Sequence, residues 1–160
     1  MIRLAKIDDF NSILDVYKIA RTLMKETGNP NQWGDNRPTE EAVLEDIKAS
    51  KMYVIEENTE ILGVFSLQDV DYDYVNIDGK WLNDEKYIVI HKVASSGNKK
   101  GIFSEIINYV YSKTKNIRID THEDNKVMQK LLVDNGFTYC GVVFIEGKLK
   151  RRAYHLVIKK

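Results

Sequence analysis

The sequence predicts an α+β domain in which a mixed central sheet is flanked by helices. A strand at 87–94, a helix at 102–114 and a strand at 117–120 follow one another, and such a crossover normally places its two strands in parallel. The last two strands, at 137–145 and 152–158, are joined by the turn Glu146-Gly-Lys148, which favours an antiparallel pair. Parallel and antiparallel neighbours together make the sheet mixed.

Two helices are predicted before the first strand. The first covers 9–26, with Asp8 or Asp9 at its start and Gly28-Asn-Pro after its end, and a polar loop at 29–37 then surrounds Trp33. The second begins near Pro38-Thr39. The apolar residues at helical spacing are Phe10, Ile13, Leu14, Tyr17 and Leu23 in the first helix, and Ala42, Val43, Leu44 and Ile47 in the second.

Strands and helices alternate through the rest of the chain. Strands at 52–56 and 61–68 are separated by the turn Asn58-Thr59-Glu60. The segment 69–85 stays undecided, because Tyr72, Tyr74, Val75 and Ile77 suit a strand while the aspartates and Gly79 favour a loop. A helix at 124–135 lies between the strands at 117–120 and 137–145.

Size and charge limit the class of protein. The 160 residues suit one domain, predicted over 1–160, with a core of its own. Lysine plus arginine and aspartate plus glutamate both total 24, so no nucleic-acid or anionic-membrane partner is expected. A single cysteine, Cys140, fits a reducing cytoplasm, and neither a signal peptide nor a membrane span is predicted. No metal site is predicted.

The loop 95–101, between a strand and a helix, suits an anion. Amides at a helix N-terminus point outward and carry partial positive charge, and Gly97 and Gly101 allow a ligand to approach the backbone. Lys99 and Lys100 add charge beside these amides. The loop lacks the Gly-Lys-Ser/Thr of a P-loop and the three glycines of a dinucleotide fingerprint. A plain turn with two solvated lysines is the alternative.

Together with the element order and Asn125…Asn135-Gly-Phe137, this loop resembles the GNAT superfamily of acyl-CoA N-acyltransferases. The resemblance spans essentially the whole chain and is densest from Tyr87 to Val143. It implies the GNAT fold and acetyl-CoA as co-substrate. It also implies that the cofactor is held by the main chain of Val93, Ala94 and Ser95, by the loop residues Asn98, Lys99, Lys100, Gly101, Ile102, Phe103 and Ser104, and by Asn125.

Three positions depart from the family pattern. Asn98 stands where arginine or glutamine is usual, and Phe103 stands where a second glycine or alanine is usual. Leu132 occupies the position from which many members supply a tyrosine that protonates the leaving thiolate. Either another group acts as the acid, or proximity and backbone polarisation suffice.

Three residues are candidates for proton transfer. His91 lies on the strand at 87–94, where alternation places it on the same face as Val89 and Val93, and its imidazole suits deprotonation of an ammonium through water. His122 follows the strand at 117–120 and could orient the substrate or act as a base, while Tyr139 carries a hydroxyl that could donate a proton. The alternatives are a histidine bonded across the sheet, a loop cap and a core tyrosine.

The family layout implies that the acceptor meets the first two helices and their loop, together with the hairpin near Gly147, and Gln32, Trp33 and Arg37 are the candidate residues. Trp33 could instead fill the corner between the helices. The sequence thus predicts an N-acetyltransferase that transfers acetyl from acetyl-CoA to a primary amine of a small molecule or peptide, with a homodimer left open. A catalytically idle CoA-binding or regulatory module is the alternative.

Overall fold

The computed structural model describes residues 1–158 and consists of eight strands and four helices. Lys159 and Lys160, the last residues of the predicted domain, lie outside the described part. The strands are β1 (Ile2–Leu4), β2 (Met52–Glu57), β3 (Glu60–Gln68), β4 (Asp78–Gly79), β5 (Ile88–Ser95), β6 (Asn116–Thr121), β7 (Thr138–Ile145) and β8 (Leu149–Val157). The helices are α1 (Phe10–Glu26), α2 (Glu40–Lys48), α3 (Ile102–Tyr111) and α4 (Lys126–Asp134).

All eight strands form one mixed sheet, in the order β1-β2-β3-β5-β6-β8-β7-β4. The pair β5–β6, joined through α3, is parallel, and every other neighbouring pair is antiparallel. The predicted mixed sheet and α+β class are therefore confirmed. No helix within residues 1–158 is both long enough and apolar enough to cross a membrane.

Helices cover the sheet on both faces, which divides the core into two main clusters. On one face α3 and α4 contribute Ile106, Ile107 and Leu132, which pack against Phe65 and Ile117. On the other face α1 and α2 pack against β2 and β3, and their buried residues are Ile13, Val16, Tyr17, Ala20, Val43 and Ile47. Most of the residues whose spacing predicts α1 and α2 face this second cluster, whereas Leu23 is exposed.

Two elements differ from the sequence prediction. Strand β1 was not predicted, because three residues are too few to show alternation, and it forms by pairing Ile2 with Ile55 of β2. The undecided segment 69–85 is mostly loop, with a 3-10 turn at Tyr72–Tyr74 and the two-residue strand β4. Tyr74 is nevertheless fully buried, so its aromatic character reflects packing against Val89 and Val143.

A bulge in β5 interrupts the alternation expected along that strand. Lys92 has a positive φ of 55°, and the register with β3 shifts between Val64 and Ser66. Ile90 and Val93 consequently pack on the same cluster, although strict alternation would put them on opposite faces. The prediction that His91 shares a face with Val93 is therefore wrong. The bulge lies beside the cleft described next.

Candidate active site

A cleft opens where the parallel strands β5 and β6 separate. Their pairing is confined to Ile88 with Ile117 and Val89 with Arg118, after which the two strands diverge. The resulting cavity has a volume of about 550 Å³. It is lined by the second half of β5, the end of β6, the loop between α1 and α2, residues 68–73, and the β7–β8 hairpin. Ligand sites in sheets of this kind commonly lie at such a divergence of strands.

His91 lies in this cleft and is paired with a carboxylate. Its Nε2 lies 3.0 Å from Oδ2 of Asp71, and both side chains are largely buried. Burial opposes ionisation of Asp71, but hydrogen bonds from His91 and from the Asp73 amide outweigh it, so the pKa of Asp71 lies below its ordinary value. An Nε2–H that donates to Asp71 leaves Nδ1 as the ring nitrogen able to accept a proton.

A second buried pair lies beside the first. The hydroxyl of Tyr74 donates to Oδ2 of Asp120 over 2.6 Å. Burial raises the pKa of Asp120 above its ordinary value, against the opposing influence of His91, Tyr74 and Arg151. Burial and the neighbouring carboxylate also raise the pKa of Tyr74 well above its ordinary value. Tyr74 thus remains protonated and holds Asp120 in place.

The three predicted substrate residues all line the cleft. Gln32, Trp33 and Arg37 come from the loop between α1 and α2. Trp33 also packs edge-on against Tyr17, with ring centroids 5.5 Å apart, so it fills the helix corner and forms part of the cavity wall at once. The two predictions for Trp33, a substrate-site residue and a residue that fills the corner between the helices, are therefore compatible.

Asn125 connects this loop to α4. Its Oδ1 accepts a hydrogen bond from the amide of Met128 and caps the helix, while its Nδ2 donates to Oε1 of Gln32 over 3.0 Å. Asn29 donates to the same Gln32 oxygen, also over 3.0 Å. Both polar groups of the Asn125 side chain are therefore used. The oxygen caps α4, and the nitrogen holds Gln32 at the wall of the cleft.

The predicted phosphate loop leads into α3 with its amides uncapped. Gly101 is the N-cap residue in a left-handed conformation with φ of 82°, and no side chain caps the helix. A Cβ added at Gly101 would meet no heavy atom within 4 Å, so the space in front of the helix is open. Ser95 and Ser96 instead accept hydrogen bonds from the amides of Gly97 and Asn98, which shapes the loop.

Carboxylates from β2, β3 and α3 bind the loop side chains. Nζ of Lys99 forms ion pairs with Glu57 and, at 2.6 Å, with Glu105. Asn98 donates to Oε1 of Glu60 over 3.1 Å. The charge of Lys99 is therefore matched within the protein, which leaves Lys100 and the helix amides as the exposed positive features of the loop.

Two of the three departures from the family pattern are core residues. Phe103 is buried and packs near Phe137, with ring centroids 6.3 Å apart. Leu132 is fully buried in the same cluster. A large side chain at 103 thus points into the core and leaves the α3 amides free, whereas position 132 presents no polar group.

The remaining predicted residues lie away from the cavity wall. His122 accepts a hydrogen bond at Nδ1 from the amide of Asp124, which is the loop-capping arrangement. Tyr139 is exposed on β7, where it packs against Tyr154 and the guanidinium of Arg152. Cys140 is half-buried, and burial raises the pKa of its thiol. Within residues 1–158, no cluster of three or more His, Cys, Asp or Glu side chains could hold a metal ion.

Asp71, Tyr74 and Arg151 are site residues that the sequence alone does not identify. Asp71 and Tyr74 lie in the segment 69–85, which suits either strand or loop, and Arg151 lies on a hairpin strand with no motif of its own. The only signal in 69–85 is the pair of tyrosines at 72 and 74, because large aromatic side chains are more often partly buried than fully solvated. Only the fold brings that segment to the cleft.

Solved structures of acetyltransferases have the same fold as this chain. An acetyltransferase of the GNAT family from Streptococcus agalactiae is 29% identical, with a TM-score of 0.89, and the match covers 100% of this chain and 96% of that one. A putative acetyltransferase from Staphylococcus aureus Mu50 is 31% identical, with a TM-score of 0.73 and 99% of each chain covered.

A more distant structure has the same fold with its cofactor present. The putative acetyltransferase from Salmonella typhimurium, solved with acetyl-CoA, is 18% identical with a TM-score of 0.64, over 100% of this chain and 94% of that one. No protein-family model matches this sequence. No curated protein matches it either.

Proposed function

Because this chain belongs to the GNAT superfamily of acetyltransferases, we propose that it transfers an acetyl group from acetyl-CoA to a primary amine of a small molecule or peptide. The observation that carries the proposal is a single cleft between β5 and β6 with His91 and Asp71 on its wall. The uncapped helix α3 follows directly from β5. A base and an anion-binding helix terminus are the two features that the reaction needs from the protein.

The residues present fit CoA at the end of β5. The amides of Ile102, Phe103 and Ser104 are free for the pyrophosphate, because Gly101 provides no capping side chain and leaves open space before the helix. The main chain of Val93, Ala94 and Ser95 lies on the diverging part of β5 and suits the pantetheine arm. When bound, acetyl-CoA supplies the acetyl group as a thioester.

His91 then prepares the amine. An ammonium cannot attack a thioester, so a proton must leave it first, and Nδ1 of the imidazole can take that proton directly or through a water molecule. Asp71 fixes the ring through Nε2 and stabilises the imidazolium that forms. Tyr74 and Asp120 keep the neighbouring wall rigid.

The leaving thiolate receives no proton from position 132, because Leu132 is an apolar core residue. Positioning of the amine against the thioester therefore has to provide a larger share of the rate enhancement. Well-oriented reactions reach effective molarities high enough for this. The same leucine is the observation that favours the alternative, an idle CoA-binding or regulatory module. Release of free thiol in the presence of a broad amine panel distinguishes the two functions.

Binding of acetyl-CoA is tested by isothermal titration with two matched pairs of variants. Ser104 is exposed in the first turn of α3, so Ser104→Glu places a carboxylate where the pyrophosphate would lie, while Ser104→Gln adds a neutral side chain of the same shape. We expect Glu to abolish binding and Gln to retain it. The pair Gly101→Glu and Gly101→Ala repeats the comparison. Both substitutions place a side chain at the same positive φ, so the backbone strain is common to the two variants.

An absence of acetyl-CoA binding by the wild-type protein would refute the proposed function. Equal affinity of Ser104→Glu and Ser104→Gln would place the cofactor elsewhere. Because a glutamate in the first turn favours the helix, loss of binding in Ser104→Glu at an unchanged melting temperature cannot be attributed to unfolding.

A further inference from the structure

Arg151 projects from β8 into the cleft, and some of its N–H donors are unused. Its residue surface is only 8% exposed, yet it lines the cavity. Nη1 donates to the carbonyl of Lys150 and Nη2 to that of Gln32, over 3.1 Å and 3.3 Å. Nε lies 3.9 Å from Oδ1 of Asp120, which is too far for a hydrogen bond. A guanidinium has five N–H donors, so this one is buried with donors unused.

Arg37 adds a second guanidinium to the same wall. It belongs to the loop between α1 and α2, it is exposed, and it lines the cavity together with Arg151. Burial lowers the pKa of Arg151, Asp120 opposes this, and the positive charge of Arg37 lowers it further. Two guanidinium groups on one wall, with the single carboxylate of Asp120 3.9 Å from Nε of Arg151, keep a net positive charge that favours an anionic ligand group.

His91, the proposed base, lies on the opposite side of Asp120 from Arg151. Strand β6, which carries Asp120, lies between β5, which carries His91, and β8, which carries Arg151. Asp71 pairs with His91, and Asp73 also lines the cavity on that side. The cleft therefore has a carboxylate-rich end with a base, suited to an ammonium, and an arginine end suited to an anion.

Other charges in the cavity do not cancel this division. Lys92 is paired with Asp46 at 2.8 Å and contributes little net charge. The carboxylate of Asp120 accepts from the neutral Tyr74 hydroxyl and lies 3.9 Å from Nε of Arg151, so this one carboxylate offsets only part of the combined charge of the two guanidinium groups. Glu146 lies at the hairpin end of the lining, outside the pairs described above.

We propose that the acceptor is a primary amine that also carries a carboxylate, an amino acid or a close analogue, with its carboxylate held by Arg37 and Arg151 and its amine presented to His91. The inference rests on the proposed acetyl transfer and names the substrate class of that site. Arginine suits a carboxylate because its planar fork can bind both oxygens at once. One carboxylate residue between the two ends favours a short separation between the amine and the acid group.

The first test compares each acceptor with its own amide. Thiol release from acetyl-CoA and, independently, calorimetric binding in the presence of free CoA are measured with the twenty α-amino acids, β-alanine and γ-aminobutyrate, and with their carboxamides. We expect at least one acid to bind and react about tenfold better than its amide, since a charge-assisted hydrogen bond is lost in the amide. Equal or better performance of the amides throughout the panel overturns the inference, and 2-aminoethyl phosphate outperforming every acid overturns the choice of carboxylate.

The second test removes one arginine. Arg37→Gln is expected to raise KM for the preferred acid about tenfold, to leave kcat within about twofold, and to leave KM for its amide unchanged. Lys18→Gln removes an exposed charge from α1 and serves as the control. Arg151→Lys retains the charge without the fork and should raise KM in the same selective way. An equal change for acid and amide refutes the role of the arginines, whereas failure of acetyl-CoA binding refutes the proposed function itself.

Discussion

Nε2 of His91 lies 3.0 Å from Oδ2 of Asp71, and this pair joins the bulged strand β5 to the loop that follows β3. The carboxylate comes 20 residues before the histidine in sequence and reaches it because β3 and β5 are antiparallel neighbours. The pair gives the cleft an oriented imidazole, which is the requirement for a base that acts at one ring nitrogen.

Replacement of His91 should therefore impair catalysis rather than cofactor binding. We expect His91→Gln to lower kcat about 100-fold or more, the usual contribution of a general base, with the acetyl-CoA dissociation constant unchanged. Asp71→Asn should cause a smaller loss, because it disturbs the orientation of the ring but leaves the base in place. Steady-state thiol release and titration of acetyl-CoA separate the two effects. His122→Gln is the control, and a larger loss in that variant would transfer the role of base to His122.

Asn125 provides a second test, in which capping and positioning are separated. Asn125→Asp keeps an oxygen that can cap α4 but loses the Nδ2 donor to Gln32, while Asn125→Ala loses both. We expect Ala to cost about 1 kcal/mol of unfolding free energy and Asp to cost little, as measured by urea denaturation.

Both Asn125 variants should raise KM for the acceptor, because the Gln32 loop is released in each. A double-mutant cycle with Gln32→Ala gives the coupling energy directly. An energy near zero between Asn125 and Gln32 would mean that the hydrogen bond does not position the loop.

The sequence predicted the parts of this fold that have a regular period. Helix α1 and the helix–strand alternation after residue 87 lie within a few residues of their predicted bounds. Residues Gln32, Trp33, Arg37 and Asn125 were assigned to a site from a family resemblance, and all four line one cavity. The order of elements determines the sheet, and the sheet determines where these loops meet.

The rest depends on contacts between segments that are distant in sequence. The bulge at Lys92 arises from pairing with β3, so no pattern within β5 reveals it. The partners of His91 and Asp120 come from a loop without periodicity, and Arg151 enters the cleft because β8 lies beside β6. Such residues carry no local signal, which explains why the chemistry of the site was harder to predict than the cofactor.

Variants at position 132 test whether Leu132, which stands where many family members have a tyrosine, serves only to pack the core. Leu132 is fully buried, whereas its neighbour Val133 is exposed on the same helix. Leu132→Ala should lower the unfolding free energy by about 2–5 kcal/mol, and Val133→Ala should change it by less than about 0.5 kcal/mol.

Leu132→Tyr addresses the missing acid directly. The larger ring has to enter a closed core, so we expect a loss of about 1–3 kcal/mol without a gain in kcat. Urea denaturation and thiol release measure the two quantities on the same samples. A rise in kcat with unchanged stability would show that position 132 faces the cleft after all.

His155 makes the stability of the protein depend on pH. It is fully buried on β8, where its Nδ1 accepts from the amide of Leu82 and its Nε2 lies 3.0 Å from Oδ1 of Asn116. Burial lowers the pKa of His155 from 6.5 to about 4, and the charge of Arg118 acts in the same direction. The folded protein therefore holds this histidine neutral, whereas the unfolded chain protonates it from about pH 6.5 downward.

Stability from this group is complete above pH 6.5 and is lost as the pH falls toward 4. Between pH 7 and pH 4.5 the loss from His155 should be about 2 kcal/mol. His155→Gln should be less stable at pH 7 but should lose about 2 kcal/mol less over the same interval, as measured by urea denaturation at both pH values. Asp9 and Asp71, whose pKa values are lowered in the folded state, also lose their contributions in acid, but they do so in both proteins and cancel in the comparison. Parallel pH profiles for the wild type and the variant would mean that the pKa of His155 is the same in the folded and unfolded protein.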